Sequence, residues 1–250
     1  MHRSIALALA ALLAAPVTAA AQSHAVLAPP ADGKPQEGWN GRAELGLAMA
    51  SGNTETESFV GKFDAAYSDT RHKLGFGASG HYATDHGIQS ARRYEAHGSF
   101  GRRLDKRSYL YGSVRHERDA FGTHEYQWTA AGGYGFDALR SETQQLSLEL
   151  GPGYRFAKDQ GARVHHNEAI ARGLADWRWQ LTGNASLVDT LLVESGRDNS
   201  FVRNVLGVQV SMGNGLAMKA GLETRYNSRV EPGTESTDQL TTVNLVYSFK

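Results

Sequence analysis

Three groups of residues in this 250-residue chain carry side chains that can do chemistry. His165-His166 with Glu168 offers imidazole and carboxylate ligands to a metal ion. His97 and Ser99, with Glu95 on the same segment, hold the residue types of a hydrolytic nucleophile, base and orienting acid. Glu117-Arg118-Asp119 could bind a cation or a sugar phosphate. Each has a plainer reading. Adjacent strand residues face opposite ways, so the two histidines converge poorly on one ion and fit a solvated outer loop better. Without a positioned triad the hydrolytic set carries little weight. The acidic-basic-acidic stretch fits an ion pair that orders a loop at a strand end. The chain has no cysteine, which removes disulfides, thiol catalysis and Cys-ligated metals. Lys and Arg total 26 and so do Asp and Glu, so a nucleic-acid partner, which calls for a basic excess, is not expected.

The elements that must position these groups are strands. Leu216, Met218, Ala220, Leu222, Thr224 and Tyr226 alternate with Ala217, Lys219, Gly221, Glu223 and Arg225. Leu146 to Phe156 and Trp39 to Met49 repeat the pattern. A period of two places one set on each face of a sheet. Twelve such segments are expected, near 39–50, 57–68, 73–83, 92–104, 108–118, 125–137, 144–156, 167–181, 185–194, 201–212, 216–226 and 239–249. Those at 108–118 and 185–194 alternate poorly, and their faces stay open.

The start of the chain reads as an address. Arg3, the apolar run Ile5 to Val17 and the small residues Thr18 to Ala21 form a secretory signal over 1–21, with cleavage before Gln22. Residues 22–38 form a flexible leader and 39–250 the folded body. No stretch after the signal reaches the roughly 18 apolar residues of a spanning helix. Small residues recur on the polar faces, among them Gly46, Gly77, Gly133, Gly135 and Gly151, as a crowded concave lumen requires. Links alternate: tight near 69–72, 105–107, 182–184 and 213–215, and mostly longer near 51–56, 84–91, 119–124, 157–166, 195–200 and 227–238. Aromatics then fall into two belts. Trp39, Tyr67, Phe100, Tyr134, Trp177 and Tyr247 belong to one, and Phe59, Tyr82, Tyr94, Trp128, Tyr154 and Tyr226 to the other.

These features predict an all-β fold: a closed antiparallel transmembrane β-barrel of about 12 strands in the outer membrane of a Gram-negative bacterium, both termini periplasmic. Its partners would be outer-membrane lipids, the barrel-insertion machinery and possible small solutes or ions; no cofactor or metal is called for. The lumen-facing candidates are Arg42, Glu44, Lys62, Asp64, Arg93, Glu95, Arg103, Glu149, Arg155, Arg172, Asp176, Arg178, Arg203, Lys219, Glu223 and Arg225. Ten are basic and six acidic, which suggests a narrow channel with weak anion preference, or a structural barrel whose charges pair. The alternative is a lipid- or envelope-modifying enzyme working at the outer rim, although the His-x-x-Ser-Asn-Gly pattern of outer-membrane phospholipases is absent.

Several stretches carry a family likeness. They are Trp39-Asn40-Gly41, Ser51-Gly52-Asn53-Thr54, Glu117-Arg118-Asp119 followed by Phe121 and Tyr126, and Gly151-Pro152-Gly153-Tyr154-Arg155. Over roughly Trp39 to Phe249 the chain resembles the YdiY-like family of salt-induced outer-membrane proteins, whose function is unknown. The resemblance implies an outer-membrane barrel with a link to salt or osmotic stress and no agreed activity. The chain departs from the family's pattern at Gln127, where the family usually has Arg, and at Lys250, which follows the aromatic Phe249.

Overall fold

The computed structural model describes residues 37–50, 56–160, 165–230 and 235–250. The expected signal, nearly all of the leader and the Ser51-Gly52-Asn53-Thr54 turn lie outside them. Twelve strands follow one another: β1 (Gly38–Ala50), β2 (Thr56–Ser68), β3 (His72–Asp85), β4 (Ile88–Arg103), β5 (Ser108–Asp119), β6 (His124–Arg140), β7 (Gln144–Asp159), β8 (His165–Gln180), β9 (Ala185–Gly196), β10 (Ser200–Gly213), β11 (Leu216–Asn227) and β12 (Thr237–Phe249). Each pairs antiparallel with its sequence neighbours, and β1 pairs with β12 to close the barrel. Closure gives every strand two partners and leaves no row of open N–H and C=O groups. An even count returns the end of β12 to the end where β1 begins, with Gly41 opposite Phe249. The Phe249 ring lies over Gly41, where a side chain would collide with it.

The barrel is inverted relative to a water-soluble one. Leu47, Leu150, Leu45, Val243, Met218 and Leu245 are turned outward and exposed. Aromatics flank them, with Trp39, Phe100, Tyr134 and Tyr247 toward the terminus end and Phe59, Tyr82, Tyr94 and Trp128 toward the other. Buried positions hold Glu, Arg and Lys instead. The two ambiguous strands now have faces. In β5, Tyr109, Tyr111, Arg115, Glu117 and Asp119 point inward, and Leu110, Val114 and Arg118 outward. In β9, Leu192 and Glu194 point inward while Asp189 sits on the exterior, accepting a hydrogen bond from the Asn204 amide at 2.7 Å.

The links differ from expectation at one place above all. A long link near 84–91 was expected. The structure has only His86 and Gly87 between β3 and β4. Both have positive φ, 50° and 74°, as a type I′ turn requires, and its twist matches the flanking strands. The ladder therefore continues to Asp85 opposite Ile88, through a bulge near Ala83. The link between β9 and β10 likewise shrinks to residues 197–199.

Glycines let adjacent strands approach closely on the inward side. Gly133 on β6 faces Gly151 on β7 so closely that a methyl on Gly151 would meet the Gly133 Cα at 2.7 Å. Nothing lies within 4 Å of a methyl added to Gly112, whose β5 face is exterior. Gly151→Ala is therefore expected to destabilise the barrel by roughly 1–3 kcal/mol through overcrowding. Gly112→Ala should stay near wild type. Urea titration of the two variants refolded in lipid vesicles checks this, and equal midpoints would contradict it.

Candidate functional site

The inward face of each strand delivers a side chain to the bore every second residue, and many of those side chains are charged. Among the described residues, nine buried bases and nine buried acids line it. They form ion-paired groups, and one group crosses the barrel. The Arg225 guanidinium on β11 donates to Glu117 on β5 at 2.6 Å. Arg203 on β10 donates to Glu95 on β4 at 3.2 Å. Each pair joins strands six places apart around a ring of twelve, so each spans a full diameter. Arg115 on β5 binds Glu194 on β9 at 2.5 Å and Glu117 at 2.9 Å. Arg155 on β7 binds Glu168 at 2.9 Å and Glu194 at 3.4 Å. Glu223 approaches Arg203 at 3.7 Å. Four arginines and five glutamates thus form one continuous belt.

The belt has an apolar flank. Leu174, Leu192 and Phe201 cluster inside the barrel, and the Arg225 and Arg115 guanidiniums lie 4.9 and 5.3 Å from the Phe201 ring centre. The ring keeps water from one side of both cations and adds cation–π attraction. A cavity of about 10 Å³ lined by His97, Ser99, Arg115, Thr129 and Glu194 is the size of one water molecule.

Further pairs line the bore outside the belt. Lys219 reaches both Glu44 oxygens at 3.3 Å, Arg42 binds Glu44 at 3.2 Å and Asp64 at 3.3 Å, and the Asn244 amide donates to Glu44 at 3.2 Å. Arg172 binds Glu149 at 2.9 Å, and the Tyr109 hydroxyl donates to the same carboxylate at 3.1 Å. Arg103 and Lys73 meet Asp137 at 3.5 and 3.4 Å. Arg93 meets Asp119 at 2.5 Å. The Thr190 hydroxyl reaches Asp176 at 3.5 Å, and Lys62 and Arg178 are buried.

Both ends of the bore open into vestibules. At the terminus end a cavity of about 570 Å³ is lined by Arg71, Arg103, Lys106 and Arg140 with Asp69 and Asp105. The two aspartates are committed to their own turns. Asp69 accepts the backbone N–H groups of Arg71 and His72, each at 2.6 Å. Asp105 accepts the Ser108 hydroxyl and the N–H groups of Arg107 and Ser108. These hydrogen bonds hold both carboxyls below the ordinary aspartate range. At the other end a cavity of only about 70 Å³ is lined by Arg93, Asp119, Phe121, His124, Arg225 and Asp238.

The three chemical groups suggested by sequence do not assemble. His165 is exposed on the outside, His166 binds Asp159 at 2.7 Å, and Glu168 is held by Arg155. No group of three His, Asp or Glu among the described residues is placed to hold a metal. His97 and Ser99 face the bore rather than the exterior, and the Ser99 hydroxyl has no hydrogen-bond partner among the described residues, so no nucleophile–base pair forms there. His97 Nε2 lies 3.7 Å from Asp64 instead. In Glu117-Arg118-Asp119 both carboxylates turn inward onto arginines and Arg118 turns out. Sequence reasoning left Arg115, Glu117, Asp119, Asp137, Glu168 and Glu194 out of the lumen set. Glu194 and Arg115 fall in the two strands of poor alternation, and Asp137 follows the regular run of β6 at a bulge.

A closed twelve-stranded barrel with an apolar exterior and ion pairs within has the architecture of outer-membrane β-barrel proteins. It is similar to the COG4313 outer membrane channel from Pseudomonas putida F1, with a TM-score of 0.52 and 11% identity over 89% of this chain and 98% of that one. It is also similar to the NanC porin (TM-score 0.49, 9% identity, 85% and 99% covered). The translocator domain of the autotransporter NalP from Neisseria meningitidis gives 0.44 and 13% over 86% and 89%. At such identities the likeness extends to the fold alone. The chain belongs to the family described as "Protein of unknown function, DUF481", whose family model matches residues 43–249. This membership fits the YdiY-like resemblance, itself to a family without a known function. No curated protein matches the chain.

Glu194 holds two arginines at once. Glu194→Ala is expected to cost roughly 3–5 kcal/mol, because Arg115 and Arg155 would keep buried charge without its partner. Glu125→Ala, at an exposed ion pair with Arg118 on the rim, should cost at most about 1 kcal/mol. Urea unfolding in vesicles measures both, and a neutral Glu194→Ala would contradict the belt's energetic role.

Proposed function

We propose that the protein is an integral barrel of a Gram-negative outer membrane, exported by a cleaved signal, with termini in the periplasm and a bore held shut by its arginine–glutamate belt. It acts as a narrow channel that conducts only when the belt rearranges, and as a stiff structural barrel while closed. The observation that carries this reading is the pair of diametric bridges, Arg225–Glu117 and Arg203–Glu95. An open porin keeps its opposite walls apart with water between them. Here the opposite walls touch. Membrane residence is supported by the outward Leu and Val surface between aromatic rows, which water would not tolerate over so large an area.

The anion preference loses its footing in this arrangement. It rested on ten basic against six acidic lumen candidates, whereas the buried set has nine of each. We expect weak selectivity. A salt or osmotic setting is supported by the family resemblance. Barrel-insertion machinery as a partner is supported by the closed sheet ending in Phe249.

Planar-bilayer recording tests the closed bore. Wild type is expected to give rare, small steps. Glu95→Ala combined with Glu117→Ala, which removes an acid from each diametric bridge, should give larger and more frequent ones. Steady, wide-pore conductance from wild type, or no change in the double variant, would overturn the proposal. The enzyme alternative has its own readout: phospholipid hydrolysis by the refolded barrel that disappears in His97→Ala and Ser99→Ala.

A further inference from the structure

One charged patch has no role in the bore, because it lies on the outside. The outward face of a membrane barrel is apolar, yet on β4 to β7 it carries Arg92, Arg118 and Lys158. The ladder places them in one row. Tyr94 is opposite Arg118, Arg118 opposite Tyr126, and Tyr126 opposite Lys158. Arg92 lies on the same face as Tyr94, two residues nearer the β3–β4 turn, and opposite Tyr82. The row therefore runs at the level of the aromatic belt at the end away from the termini, with tyrosines between the cations.

These cations are only partly neutralised. Glu125 binds Lys158 and lies 3.5 Å from Arg118, whose side chain remains 64% exposed. Arg92 is exposed and has no ion-pair partner among the described residues. Three cations share one carboxylate. Below them, toward the middle of the exterior, are Trp128, Phe156 and Tyr154, with Tyr154 and Phe156 ring centres 4.7 Å apart. A polar row above an apolar platform is the complement of an amphiphile with an anionic head.

We infer that this row binds the phosphate of a phosphorylated glycolipid of the outer leaflet, with Arg92 and Arg118 as the phosphate ligands, Lys158 as a supporting charge, and the Trp128–Phe156 surface under the acyl chains. The inference rests on the orientation proposed above. Guanidinium suits this task because its planar fork donates two parallel hydrogen bonds to phosphate oxygens and it is weakly hydrated. The tyrosines beside it suit the boundary between head group and acyl chain. A charge on this face that met only hydrocarbon would be costly, and a lipid phosphate at the same height removes that cost.

Native mass spectrometry of the mature full-length barrel in detergent tests it, with three probes: diphosphorylated lipid A, the same glycolipid stripped of phosphate, and inorganic phosphate. Wild type is expected to retain the phosphorylated lipid over the stripped one by about fivefold or more, as several basic side chains near a charged head group allow. Arg92→Gln, which breaks no ion pair, should at least halve that preference, and the Arg92→Gln/Arg118→Gln/Lys158→Gln variant should abolish it. Arg102→Gln, exposed near the opposite end of β4, should leave it unchanged. No preference in wild type, an unchanged preference in both Arg92 variants, or displacement of the lipid by millimolar inorganic phosphate would overturn the inference. Wild type that fails to give a heat-modifiable band or to float with vesicles would sink the membrane reading, and this inference with it. A barrel that inserts normally but shows no preference sinks the lipid site alone.

Discussion

Glu117 and Arg225 meet at 2.6 Å from opposite walls of a twelve-strand ring, and much of the interior follows from that contact. Two side chains can bridge a bore only if it is narrow. A narrow bore in turn leaves no room for large side chains at every inward position. Hence Gly135 leaves space for the Tyr109 ring. Charges so enclosed cannot be left alone, because water is not there to solvate them. Other inward acids and bases accordingly occur as partners: Lys219 with Glu44, Arg172 with Glu149, Arg93 with Asp119.

Much of the fold was legible because a closed barrel makes one demand on sequence, alternation, and repeats it in every strand. Ten of the strands state it clearly. It failed in β5 and β9, for reasons visible in the packing. Tyr109 and Tyr111 are aromatic yet point inward, where Glu149 and the Arg172 guanidinium receive them. Leu192 points inward to join Leu174 and Phe201. Asp189 is acidic yet points outward, with Asn204 as its partner. A pattern rule treats each such residue as a violation, because the compensating partner lies on another strand.

The charged interior was harder to read than the ladder. The parity of β4, β7, β10 and β11 located Glu95, Arg155, Arg203 and Arg225, but which acid meets which base depends on strand stagger around the ring. That stagger is the sum of the ladder registers, shifted locally at bulges near Ala83, His124, Asp137 and Ser211, and no composition count reveals it. The basic excess seen in sequence came from acids left out in the poorly alternating β5 and β9, at the bulge of β6 and at the start of β8. Adding Arg115 together with Glu117, Asp119, Asp137, Glu168 and Glu194 brings the two signs level. The link at 84–91 was misjudged for a local reason: His86 accepts a positive φ beside Gly87, so two residues do the work of a loop.

In the proposed orientation, the brevity of those links has a consequence for what the cell shows its surroundings. With two residues capping β3 and β4, four between β5 and β6, and three between β9 and β10, this rim rises little above the strands on those sides. A forest of surface polysaccharide would overtop it there. Antibodies and phage tail fibres would find few handholds on those hairpins.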